Sequence, residues 1–299
     1  MPASARPDRV TKGSIYQGPI IDTHIHLFDP SREEGIPWPE KTSPIHRGTL
    51  PINYFDQAGG FRVTGAIAVE ASPWPRDNDW LLAVCREHPG MVGFVGNFFP
   101  EDTNFPAALK RFGAEPLFLG IRYGNLWGRD LEAASRAPRF LAGIQALAET
   151  GKVLDSANPD LELLRGLLQL SDRVPDLRIV IDHLPNASIA VGREAEFHSS
   201  LAELASRETV SIKLSEVPKE VNGVTELELA PYLDWLEHLW ELFGSRRIMF
   251  GSDWPNSELT APFSETVELS LAYLAGKTIA EQEQVLFSNS QHIYRWKSR

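Results

Sequence analysis

Pro19-Ile20-Ile21-Asp22-Thr23-His24-Ile25-His26-Leu27-Phe28-Asp29-Pro30 is the stretch whose reading decides the fold. It begins as a short apolar run at Pro19–Asp22, passes into two alternating histidines, and breaks at a proline. An open, doubly wound sheet usually carries a glycine-rich phosphate loop after its first strand, and this stretch contains no glycine. Similar runs recur at Val63–Glu70, Met91–Asn97, Leu117–Arg122, Lys152–Asp155, Leu177–Asp182, Val210–Leu214 and Arg247–Gly251. A polar or Gly/Pro loop and then a helical pattern follow each run. Strands apolar on both faces, alternating with helices, predict a parallel sheet covered by helices. Eight of them predict an α/β fold of one particular kind, a single (β/α)8 TIM barrel. The barrel is expected over residues 19–299, preceded by an extension at 1–18, with no linker that would divide it.

Composition bounds the function. The chain has 299 residues, 42% hydrophobic and 23% charged, which suits a globular protein and excludes collagen, coiled coil and disorder. A net charge of −11 repels phosphate backbones and anionic lipid, so neither nucleic acid nor a membrane is an expected partner. The single cysteine, Cys85, cannot form an internal disulfide; in DWLLAVCREHP it reads as a small buried side chain on a helix. The first residues lack the apolar core of a signal peptide, and no apolar run reaches 18 residues. The expectation is a cytoplasmic protein acting on a small molecule, with homo-oligomerisation left open. Asp77 or Asn78 and Ser264 are expected helix caps, and Thr278-Ile-Ala-Glu281 is a capping box. The segment Pro30–Asn53 reads as a long loop suited to a lid.

In a strand, alternate residues share a face, so His24 and His26 point the same way and can hold one divalent ion. His183, after the run Ile179-Val-Ile-Asp182, and Asp253, in Gly251-Ser-Asp253-Trp-Pro255, both fall at C-terminal strand ends, where barrel enzymes place their chemistry. Asp253 is also a candidate general base. Arg122 can hold a substrate carboxylate or pair with Asp155. Asp22, one step deeper than His24, can orient a ligand imidazole or serve as a structural polar group. Glu70 at the rim and Lys213 inside a strand run are further candidates; a lysine there requires a partner. Four of the eight tryptophans, Trp38, Trp74, Trp127 and Trp254, follow predicted strands. They either pack the mouth or form the flat walls of a sugar site.

Taken together, His24-x-His26, His183 and Asp253 resemble the amidohydrolase superfamily over residues 19–296. The nearest likeness is the amidohydrolase-2 branch, which holds sugar-lactone hydrolases of the L-fuconolactonase and L-rhamnonolactonase kind, dicarboxylate lactonases and metal-dependent decarboxylases. Leu119-Gly-Ile-Arg122, Lys213-Leu-Ser215, the loop Ile36-Pro-Trp-Pro39 and the closing Asn289-Ser-Gln-His-Ile-Tyr294 are similar to the lactonase group. The fourth run lacks the bridging lysine, and the fifth the histidine, of two-metal members. The resemblance therefore implies one divalent ion at most, held by His24, His26, His183 and Asp253; zinc suits such ligands, and metal-independent action stays open because some of these lactonases work without an ion.

Three functions compete. A lactone hydrolase would use Asp253 to deprotonate the attacking water and His183 to bind the ion or polarise the carbonyl. A decarboxylase of a small ring carboxylate would use the same ligands. A sugar-binding barrel without catalysis has no need for the four residues at one rim. One clear arginine, Arg122, favours a neutral or singly charged lactone over a dicarboxylate, with Arg122 and the tryptophans contacting it.

Overall fold

The computed structural model describes residues 15–221 and 223–298, so Met1 to Ser14 of the expected extension lie outside the described residues. Eight parallel strands stand side by side in chain order. They are β1 (Ile20–His26), β2 (Val63–Val69), β3 (Met91–Asn97), β4 (Phe118–Arg122), β5 (Val153–Ser156), β6 (Arg178–Ile181), β7 (Val210–Leu214) and β8 (Ile248–Phe250). Helices outside and side chains inside cover both faces of the sheet, which is why every residue of β1 is buried and the runs read as continuously apolar.

The barrel closes between β8 and β1. Asp253 N donates to His24 O at 2.8 Å, and His26 N donates to Trp254 O at 2.7 Å. A Cβ at Gly251 would lie only 2.9 Å from His24 Cβ, so glycine is what lets the two chains approach. β1 continues past the expected Asp22 to His26, because these closing bonds and the ladder to β2 hold it extended. A small hairpin, Lys219–Val221 with Val224–Glu226, follows β7.

The lower part of the barrel interior is apolar. Ile67, Val95, Val153, Val180 and Met249 meet Ile293, Tyr294 and Trp296, which plug it from below. Arg178, at the start of β6, donates to the carbonyls of His292 and Ile293 and seats that plug. Cys85 is buried in helix Asp77–Glu87, as its helical pattern implies. Thr278 and Glu281 form their capping box. The other two caps differ. Asn78 lies inside the helix and spends both amide atoms on the backbone of Asn97. Ser264 sits in the first turn of Phe263–Leu274, behind Pro262 in the cap position. No helix among the described residues is long and apolar enough to cross a membrane.

Candidate active site

His24, His26, His183 and Asp253 meet at the C-terminal mouth of the barrel. The Nε2 atoms of His24 and His26 are 3.3 Å apart. Asp253 Oδ1 lies 3.4 Å from His24 Nε2, 3.0 Å from His26 Nε2 and 3.8 Å from His183 Nε2. Donors bound to zinc at about 2.0–2.1 Å in a tetrahedron sit roughly 3.3–3.4 Å from one another. The four separations, from 3.0 to 3.8 Å, bracket that figure. Asp253 Oδ1 is buried without a hydrogen-bond partner, and an orphaned carboxylate oxygen facing three imidazole nitrogens is a cation site by its chemistry. The residues fit a divalent ion.

Their protonation fits as well. Burial, reinforced by the Arg122 charge, lowers the His26 pKa to about 3. Burial, with Lys213 beside it, holds His24 well below the usual histidine range, and burial also lowers His183. All three rings are therefore neutral near pH 7, the form that binds a metal. His26 Nδ1 sits 3.0 Å from the Val69 carbonyl. Donating there leaves its Nε2 lone pair toward the cluster. His183 Nδ1 faces Ser215 Oγ at 2.9 Å.

The backbone presents these groups at some cost. His183, Glu216 and Asp253 all have left-handed φ angles, of 53°, 52° and 59°. Each follows the end of its strand, and each such residue costs on the order of 1–3 kcal/mol that the surroundings must offset. Glu216 is the member that sequence reasoning missed. It stands two residues beyond β7, as His183 stands two beyond β6, and could have been found by that parallel. Its carboxylate accepts from Asn186 and Asn256, each at 3.0 Å, and Asn256 also donates to Asp253 Oδ2 at 2.7 Å. Burial pushes the Asp253 pKa well up, with the Glu216 charge adding to it. Burial would raise Glu216, but His183, hydrogen bonding with Asp253 and Asn186, and the Arg122 charge outweigh it and bring it to about 2.

Beneath the cluster lies a buried ionic network. Lys213 Nζ donates to Asp155 at 2.6 Å, contacts Asp182 at 3.0 Å and lies 3.2 Å from His24 Nδ1. Tyr294, from the plug below, donates to Asp155 at 2.8 Å. Burial would raise the Asp182 carboxyl, but Lys213, His24 and Arg122 outweigh it and hold the group well below the usual range. Lys213 thus has the partners a buried ammonium requires. Arg122 pairs with Asp182 at 3.2 Å and lies 3.8 Å from Glu70. The alternative of a pairing with Asp155 is not what forms, because the Asp155 oxygens are taken by Lys213 and Tyr294. Among the described residues, Asp22 makes no hydrogen bond with an imidazole. It accepts from the backbone N of His24 and Ser252 and from the Tyr54 hydroxyl, and so fastens β1 to β8.

A cleft of about 170 Å³ opens above the cluster, lined among others by Trp38, Glu70, Arg122, Trp127, Glu216 and Asn256. Trp127 Nε1 donates to both Glu70 oxygens at 3.2 Å. Only two of the four expected tryptophans stand in this cleft. Trp74 lines a neighbouring space. Trp254 is fully buried; its ring packs against Tyr54 and its indole N–H donates to Glu258, so it belongs to the core.

A family model described as Amidohydrolase matches residues 21–296. The chain belongs to the amidohydrolase family. Among curated relatives, an L-fucono-1,5-lactonase of Burkholderia ambifaria is 29% identical over 257 residues, covering 82% of this chain and 83% of that protein. An L-rhamnono-gamma-lactonase of Scheffersomyces stipitis is 22% identical, covering 79% of this amidohydrolase and 85% of the yeast protein. Among solved structures, an amidohydrolase from Burkholderia multivorans with bound zinc has a TM-score of 0.82 at 22% identity, and the match covers 94% of this chain and all of that one.

Proposed function

We propose that this amidohydrolase hydrolyses the ester ring of a neutral sugar-acid lactone, with His24, His26, His183 and Asp253 holding one divalent ion, zinc by preference. The carrying observation is the orphaned Oδ1 of Asp253 among three neutral imidazoles, at the floor of a cleft with tryptophan walls. The lactonase names of the curated relatives point the same way. When bound, such an ion supplies Lewis acidity toward an ester carbonyl and an attacking water.

The chain's own residues supply the rest. Asp253 takes a proton as the water oxygen attacks the carbonyl carbon, then returns it to the ring oxygen as the carbon–oxygen bond breaks. Asn256, bonded to both Asp253 and Glu216, keeps that carboxylate aimed into the cleft. Trp38 and Trp127 offer flat faces to sugar C–H surfaces, and Glu70 accepts a ring hydroxyl beside the Trp127 N–H. The charge balance selects the substrate. Among the described residues, Glu70, Asp155, Asp182, Glu216 and Asp253 stand against Lys213 and Arg122, both already paired with carboxylates, and Arg129, which donates to the Asn97 side chain and the Arg122 carbonyl. This surplus of carboxylates welcomes a cation and disfavours a dicarboxylate substrate, which would need two arginines free to pair with it, where only Arg129 is without a carboxylate partner. Lys213 beside His24 opposes the ion, which limits its affinity. The single cysteine accords with a cytoplasmic setting.

The test pairs zinc equilibrium dialysis with acid release from neutral sugar lactones and from dicarboxylate pyrone lactones. One zinc per chain and a kcat/KM at least tenfold higher for neutral lactones are expected. Two tightly bound ions would count against the single-ion site, and carbon dioxide release from a ring carboxylate without lactone hydrolysis would replace this reading by decarboxylation.

A further inference from the structure

The strands are parallel, so β6, β7 and β8 all start at the end of the barrel opposite the mouth, side by side. There they bring cations together. Arg178 opens β6, and Arg246 and Arg247 stand just before Ile248 of β8. A groove of about 870 Å³ runs between these strand ends and the closing helix Asn289–Tyr294, and all three arginines line it. That volume falls within the roughly 300–1,000 Å³ of small-molecule sites. Asn289 Nδ2 donates to the carbonyls of Ser245 and Ile248, at 2.6 and 2.7 Å, and so fixes one wall to the other.

Two of these guanidinium groups are held by carbonyls instead of carboxylates. Arg178 donates to the His292 and Ile293 carbonyls at 2.8 and 2.7 Å. Arg247 donates to those of Ala205, Arg207 and Val210 at 2.7, 3.0 and 3.1 Å, and to Leu242 at 3.1 Å. Carbonyls orient a guanidinium without cancelling its charge. Arg246 is exposed. Among the described residues, no carboxylate forms an ion pair with any of the three, whereas Arg32, Arg165, Arg193 and Arg207 each have one. Glu208 is the single carboxylate on the groove's walls, and His292 adds a further nitrogen base. Burial lowers the pKa of Arg178, and the neighbouring Arg295 charge adds to it. Burial also lowers Arg247, which Glu208 offsets only in part. The groove is thus a cationic spot on a chain of net charge −11. Thr209 and the buried Ser211 add hydroxyls to the same wall.

We propose that this groove binds a small phosphate-bearing molecule, with Arg178, Arg246 and Arg247 holding the phosphate oxygens. The planar fork of a guanidinium matches a phosphate, and two of the three forks are already fixed in place. Free phosphate and a phosphate ester share this chemistry. A nucleic acid does not fit as well, because its backbone would run beyond the groove over an acidic surface. Arg178 also seats the plug of the barrel, so an occupied groove stabilises the folded chain. The site lies at the far end from the mouth and is independent of the reaction proposed there.

The experiment titrates the full-length protein by calorimetry with inorganic phosphate, pyrophosphate and glycerol 3-phosphate. Ionic strength is held constant, and chelator is present so that no metal at the mouth can hold the anion. One pyrophosphate per chain with a Kd below about 1 mM is expected, together with a melting temperature that rises as pyrophosphate is added. Arg246→Glu reverses a charge at an exposed position, so its circular dichroism should match the wild type while binding weakens at least tenfold. Arg178→Gln should weaken binding as well; if it unseats the plug and fails to fold, R246E decides. Unchanged binding in folded R246E, or no binding of any of the three probes to the wild type, would overturn the proposal. Tighter binding of glycerol 3-phosphate than of inorganic phosphate supports a phosphate ester as the occupant, and the reverse order supports free phosphate. A single-stranded oligonucleotide that binds more tightly than all three would overturn the small-molecule reading.

Discussion

Two layers of side chains fill one barrel, and two residues along a strand separate them. On β5, Val153 belongs to the lower layer and Asp155 to the upper; on β6, Val180 lies below and Asp182 follows beyond the strand end. The lower layer gains by removing apolar surface from water, on the order of 25 cal/mol per Å². The upper layer brings lysine, arginine, aspartate and histidine into the same dry interior, and each charge there is costly unless paired. The network of Lys213, Asp155, Asp182 and Arg122 meets that cost by internal ion pairing, while Asp253 Oδ1 faces only imidazoles and has no hydrogen-bond partner. The contrast teaches a division of labour: one layer stabilises, and the other is held in a costly arrangement by what lies beneath it.

The largest effect that would break this contrast is at Asp253. Asp253→Asn should preserve the fold and lower kcat by ~10²–10⁴-fold, read from lactone hydrolysis and circular dichroism. Near-normal turnover would move the base elsewhere, with Glu70 the next candidate. The lower layer should respond in the opposite way. Met249→Ala should cost about 2–5 kcal/mol of unfolding free energy while the remaining folded enzyme keeps its kcat within about twofold; urea melts with parallel kinetics check it. A large loss of kcat in folded M249A would show that the layers are not separable.

The smallest effect is a pH slope. His26 titrates near 3 when folded and near 6.5 when unfolded. Below pH 6.5 the unfolded chain binds a proton that the folded chain refuses, so stability is present above that pH and falls as the solution is acidified toward 3. In chelator, the wild type should lose about 2 kcal/mol more than His26→Asn between pH 6.5 and 5, at roughly 1.4 kcal/mol per unit. Equal losses would mean that His26 is not held neutral by burial.

Most of the upper layer's membership was legible in the sequence, because its key residues stand at the ends of apolar runs. His24, His183 and Asp253 could be placed at one rim from periodicity and topology alone. What lay beyond reach was pairing across the barrel. Tyr294 reaches Asp155 from 139 residues away, and no local pattern announces it. Trp254 shows the same limit in another form. Its position after a strand suggested the mouth, but its ring packs against Tyr54, a contact from far along the chain that its neighbours in sequence do not reveal.

The seam between β1 and β8 also sets an order in time. Thr23 Oγ1 donates to the Phe250 carbonyl across 227 residues, beside the two backbone bonds that close the barrel. During synthesis the first histidines leave the ribosome long before Asp253 does. At about 5–20 residues per second that interval is roughly 10–45 s. Throughout it the nascent chain carries half a cation site and an open sheet edge on β1. On the proposed reading, capture of an ion by all four side chains would be a late event, possible only once the eighth strand has docked, and a ribosome-stalled fragment lacking β8 would lack Asp253 and with it the candidate site.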